Sequence, residues 1–261
     1  MSEEIKDIQA SGDERGIDID KVGVKGVRYP ITVQDKVKGE QQTVALVNMY
    51  VNLPRSFRGT HMSRFVEILN EHRGSINVNA LPEILSDVKE RLQAEAAHVE
   101  ICFPYFIEKT APVSGAVSLM EYQCKINGIA AEKVDIGIEV SVPITTVCPR
   151  SKELAERGAH NQRAVVDVAI RFENMVWLED LIAIIEETAS SEVYSLLKRP
   201  DEKFVTERAF ERPLYVDDVA RAVAKRLKQN PDISWFMVDV ETQESVHNHN
   251  FYAHIESDDK E

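Results

Sequence analysis

Strand-type alternation is the strongest pattern in this 261-residue chain, and it limits the chain to folds built on sheets. Residues 134–142 alternate apolar and polar side chains without a break, and the run continues through Pro143 towards Cys148. Successive side chains of a strand point to opposite faces, so such a run predicts a strand with one buried face. Residues 43–53 and 164–174 show similar alternation and predict two more strands of this kind.

The predicted elements occur twice in the same order: two strands, two helices and two strands. In the first half we expect strands at 22–33, 43–53, 99–107 and 117–126, and helices from about residue 63 and over 81–97. In the second half we expect strands at 134–147, 164–174, 233–240 and 251–256, and helices from about residue 177 and behind Pro213. The polar stretch around residues 199–202 is interpreted as part of a loop between these last two helices.

Short links between neighbouring strands favour antiparallel pairing, and helices grouped in the middle of each half favour a single helical layer. The predicted fold class is therefore α+β, with two tandem ββααββ modules whose antiparallel sheets carry helices on one face. The modules are predicted at residues 21–129 and 130–256, between a polar N-terminal tail, 1–20, and an acidic tail, 257–261.

The charge balance of the chain argues against some partners. It has 44 acidic and 31 basic residues, for a formal net charge of -13. Phosphate backbones select basic surfaces, so we expect no nucleic-acid partner, although a local basic pocket for a small phosphorylated substrate stays compatible. No apolar run approaches the roughly 20 residues of a membrane span, and the polar start does not resemble a signal peptide. Three cysteines without a CxxC pair are typical of a reducing cytoplasm.

Several catalytic signatures are missing from the sequence. It has no GxxxxGK[ST] loop, no GxGxxG after a strand, no GxSxG elbow, no HExxH helix and no HxE with PCxxC. The sequence therefore argues against kinase-like, Rossmann, serine-hydrolase and cytidine-deaminase proteins.

A thiol and several imidazoles form a candidate metal site. Cys148 ends the alternating run and precedes a polar, basic segment, residues 149–152, while His160 stands just before the next predicted strand. Far downstream, His247 and His249 stand two positions apart, and in a strand such alternate positions place both rings on one face. These groups can converge on one divalent ion that activates water for hydrolysis.

Ordinary interpretations of the same residues stay open. A cysteine at a strand end is usually a small core residue, and Cys102 and Cys124 are interpreted in that way. His160 alone is also typical of an exposed turn. The sequence does not single out a carboxylate for the site, since four glutamates stand in suitable segments: Glu202, Glu207, Glu241 and Glu244.

A basic segment joins a predicted strand to a predicted helix at residues 53–64. It brings Arg55, Arg58, His61 and Arg64 into an otherwise acidic protein. Arginine side chains and the N–H groups of a helix N-terminus suit phosphate oxygens. The alternative is a solvated loop whose charges balance nearby acids.

Taken together, these segments resemble the type IB GTP cyclohydrolases. The resemblance is carried by residues 53–65 (LPRSFRGTHMSRF), 147–152 (VCPRSK), 158–163 (GAHNQR) and 246–250 (VHNHN), and residues 7–13 (DIQASGD) also fit. It implies a tunnelling fold of two ββααββ modules per subunit, assembled as a homotetramer with active sites at the interfaces. The implied reaction converts GTP and water into 7,8-dihydroneopterin triphosphate and formate, the first step of tetrahydrofolate biosynthesis, with zinc, manganese or iron as the divalent metal.

The resemblance also implies roles for individual residues. Its metal ligands map onto Cys148, His160, Glu202 and His247. His249 is implied in proton transfer and Glu244 in guanine recognition, with Glu241 as second choice. The triphosphate would meet Arg58, His61 and Arg64.

Two alternatives to this function remain open from the sequence. One is another tunnelling-fold pterin or deazapurine enzyme, such as a nitrile reductase, in which the cysteine acts as a nucleophile and not as a ligand. The other is a non-catalytic assembly protein that a metal stabilises. The identity of the metal, the oligomeric state and a linear or cyclic phosphate product are also left open.

Overall fold

The protein is described by a computed structural model, which covers residues 15–55, 59–74 and 76–258. The described residues form nine strands and six helices. In chain order they are β1 (Ile19–Asp35), β2 (Gly39–Leu53), α1 (Met62–Glu71), α2 (Leu81–Leu92), β3 (Ala97–Thr110), β4 (Val117–Ala130), β5 (Val134–Val147), α3 (Pro149–Leu154), β6 (Asn161–Phe172), α4 (Leu178–Thr188), β7 (Ser191–Glu192), α5 (Arg199–Glu211), α6 (Val216–Gln229), β8 (Ile233–Gln243) and β9 (Tyr252–Glu256).

The strands form an antiparallel sheet, as the sequence predicts. Their order is β1-β2-β3-β4-β5-β6-β8-β9, with β7 paired to β5. The first six elements follow the predicted ββααββ order, and β5 has the predicted bounds. The second half keeps the predicted strands but adds α3, β7 and α5. The α+β class is therefore confirmed, while the module boundaries at 21–129 and 130–256 stay a prediction.

The chain divides into two compact units. The first contains the described residues of Met1–Phe103 together with Lys125–Ile136, and the second contains Pro104–Cys124 together with the described residues of Gly137–Glu261. The long strands β3 and β4 each contribute residues to both units.

In the first unit, α2 packs through the apolar face that its sequence predicts. Leu81, Leu85 and Val88 are fully buried, and Pro82 stands at the first turn, where its missing N–H is not needed. Gly128 of β4 lies directly under this helix, since an added Cβ would come within 2.8 Å of the side chains of Leu81 and Leu85. The glycine therefore sets how closely α2 approaches the strand.

In the second unit, the alternation of β5 becomes a buried face. Ile138, Val140, Val142 and Ile144 are at most 2% exposed. Helix α6 contacts both β8 and α4, and its apolar residues at helical spacing are buried. This face supplies the hydrophobic burial that stabilises the unit.

Helix α5 replaces the polar loop that we expected, so that prediction was wrong. The helix buries only two of its residues, Asp201 and Ala209, and therefore lacks the apolar stripe that reveals a helix in sequence. Asp201 is fully buried, and its carboxylate accepts hydrogen bonds from the Val113 and Ser114 amides, the Ser114 hydroxyl and the Lys198 amide. Burial alone would raise the pKa of Asp201, but these hydrogen bonds outweigh it and hold the pKa far below its usual range.

A second buried polar group, which we call the ionic network, joins β3, β4, α4, β7 and α5 in this unit. Its members are Lys109, Tyr122, Glu186, Glu192, Tyr194 and Arg208. The ammonium of Lys109 lies 2.5 Å from Glu186 Oε1 and 3.0 Å from Glu192 Oε2, and it donates to the Val193 carbonyl. Each charge in the network therefore has an opposite charge beside it.

Burial and charge shift the pKa values of this network in different directions. Burial raises the pKa of Glu186 even though Lys109 acts against it. Burial would also raise the pKa of Glu192, but Lys109 and Arg208 outweigh it and lower the pKa. Burial raises the pKa of Tyr194 to about 12, so this phenol stays protonated and donates to Glu192.

The longest of the described helices has 14 residues. Among the described residues, none of the helices has the length and apolar character needed to cross a bilayer.

Candidate functional site

Cys148 lies where β5 ends and α3 begins. It is the N-cap residue of α3, and its sulfur accepts a hydrogen bond from the Ser151 amide at 3.4 Å. Pro149 starts the helix with a favourable fixed φ. Unlike Cys124, whose burial raises the pKa of its thiol, Cys148 is half-buried and stands beside a polar turn. This placement agrees with the distinction that the sequence makes between the two thiols.

His160 lies directly opposite Cys148. Strands β5 and β6 pair in a register that sets Val147 against Asn161, and one step further the Cys148 amide donates to the His160 carbonyl at 3.1 Å. Two residues 12 positions apart are therefore held side by side at one end of the sheet. This is the first pair of predicted ligands that the structure brings together.

The ring of His160 is held on one side. Its Nδ1 lies 3.1 Å from Gln162 Oε1 and 3.5 Å from the Ser245 hydroxyl. An amide oxygen only accepts, so this contact favours the tautomer with a proton on Nδ1. Nε2 is then the ring nitrogen that can bind a metal.

The segment with the other histidines comes to the same end of the sheet. Gln243, the last residue of β8, pairs with Arg163 of β6, and Ser245 then contacts the His160 ring. His247 and His249 lie beyond, with ring centroids 5.3 Å apart and nearly parallel planes. These two residues lie in an exposed bend between β8 and β9, so the one-face rule for a strand does not apply to them.

The rings come together by packing and not by strand alternation. Phe251 meets both imidazoles edge-on, with centroids 5.6 Å away in each case. Edge-on contacts between aromatic rings are favourable, so Phe251 helps to hold the two imidazoles in their stacked arrangement.

Glu244 and Glu241 differ in how their carboxylates are used. Glu244 Oε1 accepts from the Thr242 hydroxyl at 2.9 Å, whereas its Oε2 is buried and has no hydrogen-bond partner among the described residues. Glu241 is exposed and accepts from the Asn250 amide at 2.8 Å. A buried carboxylate oxygen without a partner is unfavourable, so Glu244 is the better acceptor for a ligand N–H.

Glu202 lies in the first turn of α5 and is exposed. The far end of that helix is the one beside Cys148: Lys152 donates to the Phe210 carbonyl at 2.5 Å, and Leu214 donates to the Val147 carbonyl. Glu202 precedes Phe210 by eight residues, or roughly 12 Å along a helix axis. The structure therefore unites Cys148 with His160 but does not bring Glu202 to them within one protomer.

The donor chemistry at this end fits a divalent cation. A thiol, an imidazole nitrogen and nearby carboxylates are the ligands that zinc, iron and manganese accept. Among residues 15–55, 59–74 and 76–258, no three His, Cys, Asp or Glu side chains are close enough together to hold a metal ion by themselves.

The basic segment belongs to the first unit and is described only in part. Arg58 lies outside the described residues. His61 is the N-cap residue of α1, with no side-chain cap bond among the described residues, and Arg64 uses one guanidinium N–H to bond the Arg91 carbonyl at 2.7 Å. The first turn of α1 contains no acidic side chain to oppose an anion.

Ser151 and Gln162 are contacts of the ligand pair that our sequence reasoning missed. Both stand inside motifs that it singled out: Ser151 comes three residues after Cys148, at capping distance, and Gln162 comes two residues after His160, on the same strand face. Spacing relative to the candidate ligands is therefore the signal that could have found them.

Comparisons with known proteins identify the fold and the family of this chain. Two solved structures have a similar fold: the urate oxidase of Bacillus sp. TB-90, with a TM-score of 0.56, 9% identity and coverage of 92% of this chain and 99% of that one, and a uricase from Bacillus fastidious, with a TM-score of 0.56, 7% identity and 92% coverage of both chains. At these identities they show the fold alone, and they confirm the predicted tunnelling fold.

Sequence similarity is much higher to a set of bacterial proteins. This chain is 58% identical over 252 residues to a protein of Syntrophobacter fumaroxidans named GTP cyclohydrolase FolE2, covering 96% of this chain and 98% of that protein. It is 57% identical over 253 residues to a protein of the same name from Syntrophus aciditrophicus, covering 97% and 99%. The family model described as type I GTP cyclohydrolase folE2 matches residues 5–253. The chain belongs to the type I GTP cyclohydrolase FolE2 family.

Proposed function

We propose that this protein is a metal-dependent GTP cyclohydrolase of the IB type. It converts GTP and water into 7,8-dihydroneopterin triphosphate and formate, the first step of tetrahydrofolate biosynthesis. The observation that carries the proposal is the side-by-side placement of Cys148 and His160 at the end of the sheet, in a chain of the FolE2 family.

The proposed metal ligands are Cys148, His160, Glu202 and His247. A divalent ion held there would supply the Lewis acidity that makes water a nucleophile near neutral pH. Attack on carbon 8 of the guanine ring needs this help because neutral water is a poor nucleophile. The mixed sulfur, nitrogen and oxygen donors are compatible with zinc, manganese or iron.

Glu244 is proposed to bind the guanine base. A carboxylate can accept from two N–H groups of the purine at once. The buried Oε2 of Glu244 supports this role, because a purine N–H would satisfy an oxygen that the described residues leave without a partner. Glu241 remains the second choice, since Asn250 already engages its carboxylate.

His249 is proposed to transfer protons. Opening of the imidazole ring and release of formate both need a proton moved to or from a nitrogen, and histidine titrates in the required range. Its stacking on the proposed ligand His247 supports a place beside the reacting ring.

The triphosphate is proposed to bind Arg58, His61 and Arg64 of the basic segment. The α1 N-terminus offers backbone N–H groups to phosphate oxygens. Arg64 would bind with the guanidinium N–H groups that do not face the Arg91 carbonyl.

The active form is proposed to be a cytoplasmic homotetramer with its sites at subunit interfaces. The separation of Glu202 from Cys148 along α5 supports a ligand set that a second copy helps to complete. A site shared between copies explains how four ligands can converge without three of them lying together in one described chain.

A direct assay tests this function. Purified protein is incubated with GTP and, in separate reactions, with manganese, iron or zinc, and the products are oxidised and separated by chromatography with fluorescence detection. We expect neopterin triphosphate and one formate for each GTP consumed. If no metal yields a pterin, the proposal is wrong: nicotinamide-dependent reduction of a nitrile substrate would then indicate the reductase alternative, and metal-dependent assembly alone would indicate the non-catalytic one.

A further inference from the structure

Two polar side chains hold Cys148 and His160 without being proposed ligands themselves. The Ser151 hydroxyl donates to the Cys148 carbonyl at 3.0 Å and accepts from the His160 amide at 3.2 Å. Gln162 accepts from the His160 ring. We propose that Ser151 and Gln162 are positioning residues that fix the thiol and the imidazole in the geometry a divalent cation requires. This inference rests on the proposed metal site.

Ser151 modifies the end of a strand ladder. In an antiparallel pair, two directly opposed residues exchange two backbone hydrogen bonds. Here one of them is present, from the Cys148 amide to the His160 carbonyl at 3.1 Å. The other is replaced by a bridge, since the His160 amide donates to the Ser151 hydroxyl and that hydroxyl donates to the Cys148 carbonyl. The bridge keeps the two residues paired while separating their backbones on one side.

Ser151 also acts on the sulfur. Its amide donates to Cys148 Sγ at 3.4 Å, so one residue restrains the carbonyl and the side chain of Cys148 and the amide of His160. Because α3 starts at this point, the first turn of the helix carries Ser151 back over Cys148. The bridge requires a hydroxyl at the third position after the cap, whereas the contact to Sγ requires only the backbone amide there.

Gln162 acts on the ring. It follows His160 by two residues and pairs in register with Thr146, which itself precedes Cys148 by two. The two side chains therefore form a row behind the ligand pair, on the same strand faces. By accepting from Nδ1, Gln162 fixes both the tautomer and the rotation of the ring, which is the usual role of a group that supports a metal-bound histidine.

Cobalt binding to the metal-free protein tests the role of Ser151. Coordination by a thiolate gives an intense charge-transfer absorption band, so titration with Co²⁺ reports on Cys148 without any turnover. We expect Ser151→Ala to bind Co²⁺ about 10- to 100-fold more weakly, with its thermal midpoint changed by a few degrees at most. Ser151→Thr keeps the hydroxyl and should restore most of the affinity.

A matched serine serves as the control. The Ser257 hydroxyl accepts from the Phe236 amide and donates to the Phe236 carbonyl, so it also bridges two backbone groups. It lies at the other end of β8, whose first residue is Ile233. Ser257→Ala should lower stability by an amount similar to Ser151→Ala and leave Co²⁺ affinity unchanged.

Gln162 gives an independent pair of variants. Gln162→Met keeps the length of the side chain but removes the acceptor, and should weaken Co²⁺ binding about tenfold or more. Gln162→Glu keeps an acceptor for Nδ1 and should retain the affinity. If Ser151→Ala fails to fold, this pair decides the question.

The outcomes separate this inference from the proposed function. A wild-type protein that gives no thiolate band with Co²⁺ would contradict the proposed metal site itself. A wild-type protein that binds with the band, while Ser151→Ala and Gln162→Met bind equally well, would overturn only the positioning roles. Equal weakening by Ser257→Ala would also overturn them, because the loss would then follow from general stability.

Discussion

The second unit contains two polar clusters that are built differently. In the ionic network, Lys109 and Glu186 are each 9% exposed, and each has charged partners within 3.0 Å. The other cluster lies at the end of the sheet that carries the proposed metal ligands, which we call the ligand end. There Cys148 and His160 are half-buried, and the His247 ring is exposed. One cluster is mostly buried and pairs each of its charges, and the other is more open and keeps a buried acceptor, Glu244 Oε2, without a partner among the described residues.

The two clusters therefore serve different properties of the protein: the ionic network serves the stability of the unit, and the ligand end serves the proposed chemistry. A buried charge without a partner is strongly unfavourable, so the network must satisfy its own members for the unit to fold. The ligand end has capacity that folding does not use, such as the buried oxygen of Glu244. We therefore expect changes in the network to lower stability first, and changes at the ligand end to lower turnover first.

Cys148→Ala should have the largest effect on turnover. Loss of this proposed metal ligand should remove several kcal/mol of transition-state stabilisation, so kcat should fall about 1000-fold or more. The free energy of unfolding should change little, since the thiol is half-buried and makes one weak contact with the Ser151 amide. Steady-state kinetics and urea titration measure the two quantities, and substantial residual turnover would place the thiol outside the site.

Lys109→Met should have the largest effect on stability. It leaves Glu186 and Glu192 buried without their shared cation, which lowers the free energy of unfolding by about 3–5 kcal/mol. Urea titration at a fixed protein concentration measures the change. Lys203→Met is the control, because its pair with Glu207 is exposed and contributes about 0.5 kcal/mol or less. If Lys109→Met loses turnover while keeping its stability, the contrast between the clusters is wrong.

Glu244→Gln should raise the KM for GTP about 10- to 100-fold, because it removes the charged group that is proposed to accept from the base. Unfolding should be nearly unaffected. Comparison with Glu241→Gln sharpens the assignment, because that carboxylate is exposed and already bonded to Asn250. A larger change of KM in Glu241→Gln would move the guanine contact to that residue.

Tyr194→Phe should have the smallest effect, a loss of about 1 kcal/mol through its hydrogen bond to Glu192. The pH dependence of the contribution that Tyr194 makes to stability is more informative. The pKa of Tyr194 is raised from 10.0 to about 12, so its contribution is fully present below about pH 10 and is lost as the pH rises towards 12. Unfolding titrations across this range should show a shallower alkaline decline in Tyr194→Phe than in the wild type, and identical slopes would contradict this.

Much of the fold follows from local pattern. The strands with strict alternation, above all β5, have their predicted places because one buried face dictates a period of two. Helix α5 was missed because Asp201 fixes its start through hydrogen bonds to Val113 and Ser114, about 90 residues earlier. Such a long-range polar contact leaves no periodicity in the local sequence.

The candidate site was predictable in its residue types and less so in its geometry. Cys148 and His160 meet because the β5–β6 register brings them together, and that register follows from the alternation of both strands. The pairing of His247 with His249 depends on a bend and on packing against Phe251, which sequence spacing does not encode. The distance between Glu202 and Cys148 depends on the direction of α5, which the sequence did not reveal.

The interleaving of the two units along the chain has a consequence for degradation. The polypeptide passes between the units three times, after Phe103, Cys124 and Ile136. A protease cut between Pro104 and Ile136 would therefore divide both units, so that neither fragment would contain an intact unit.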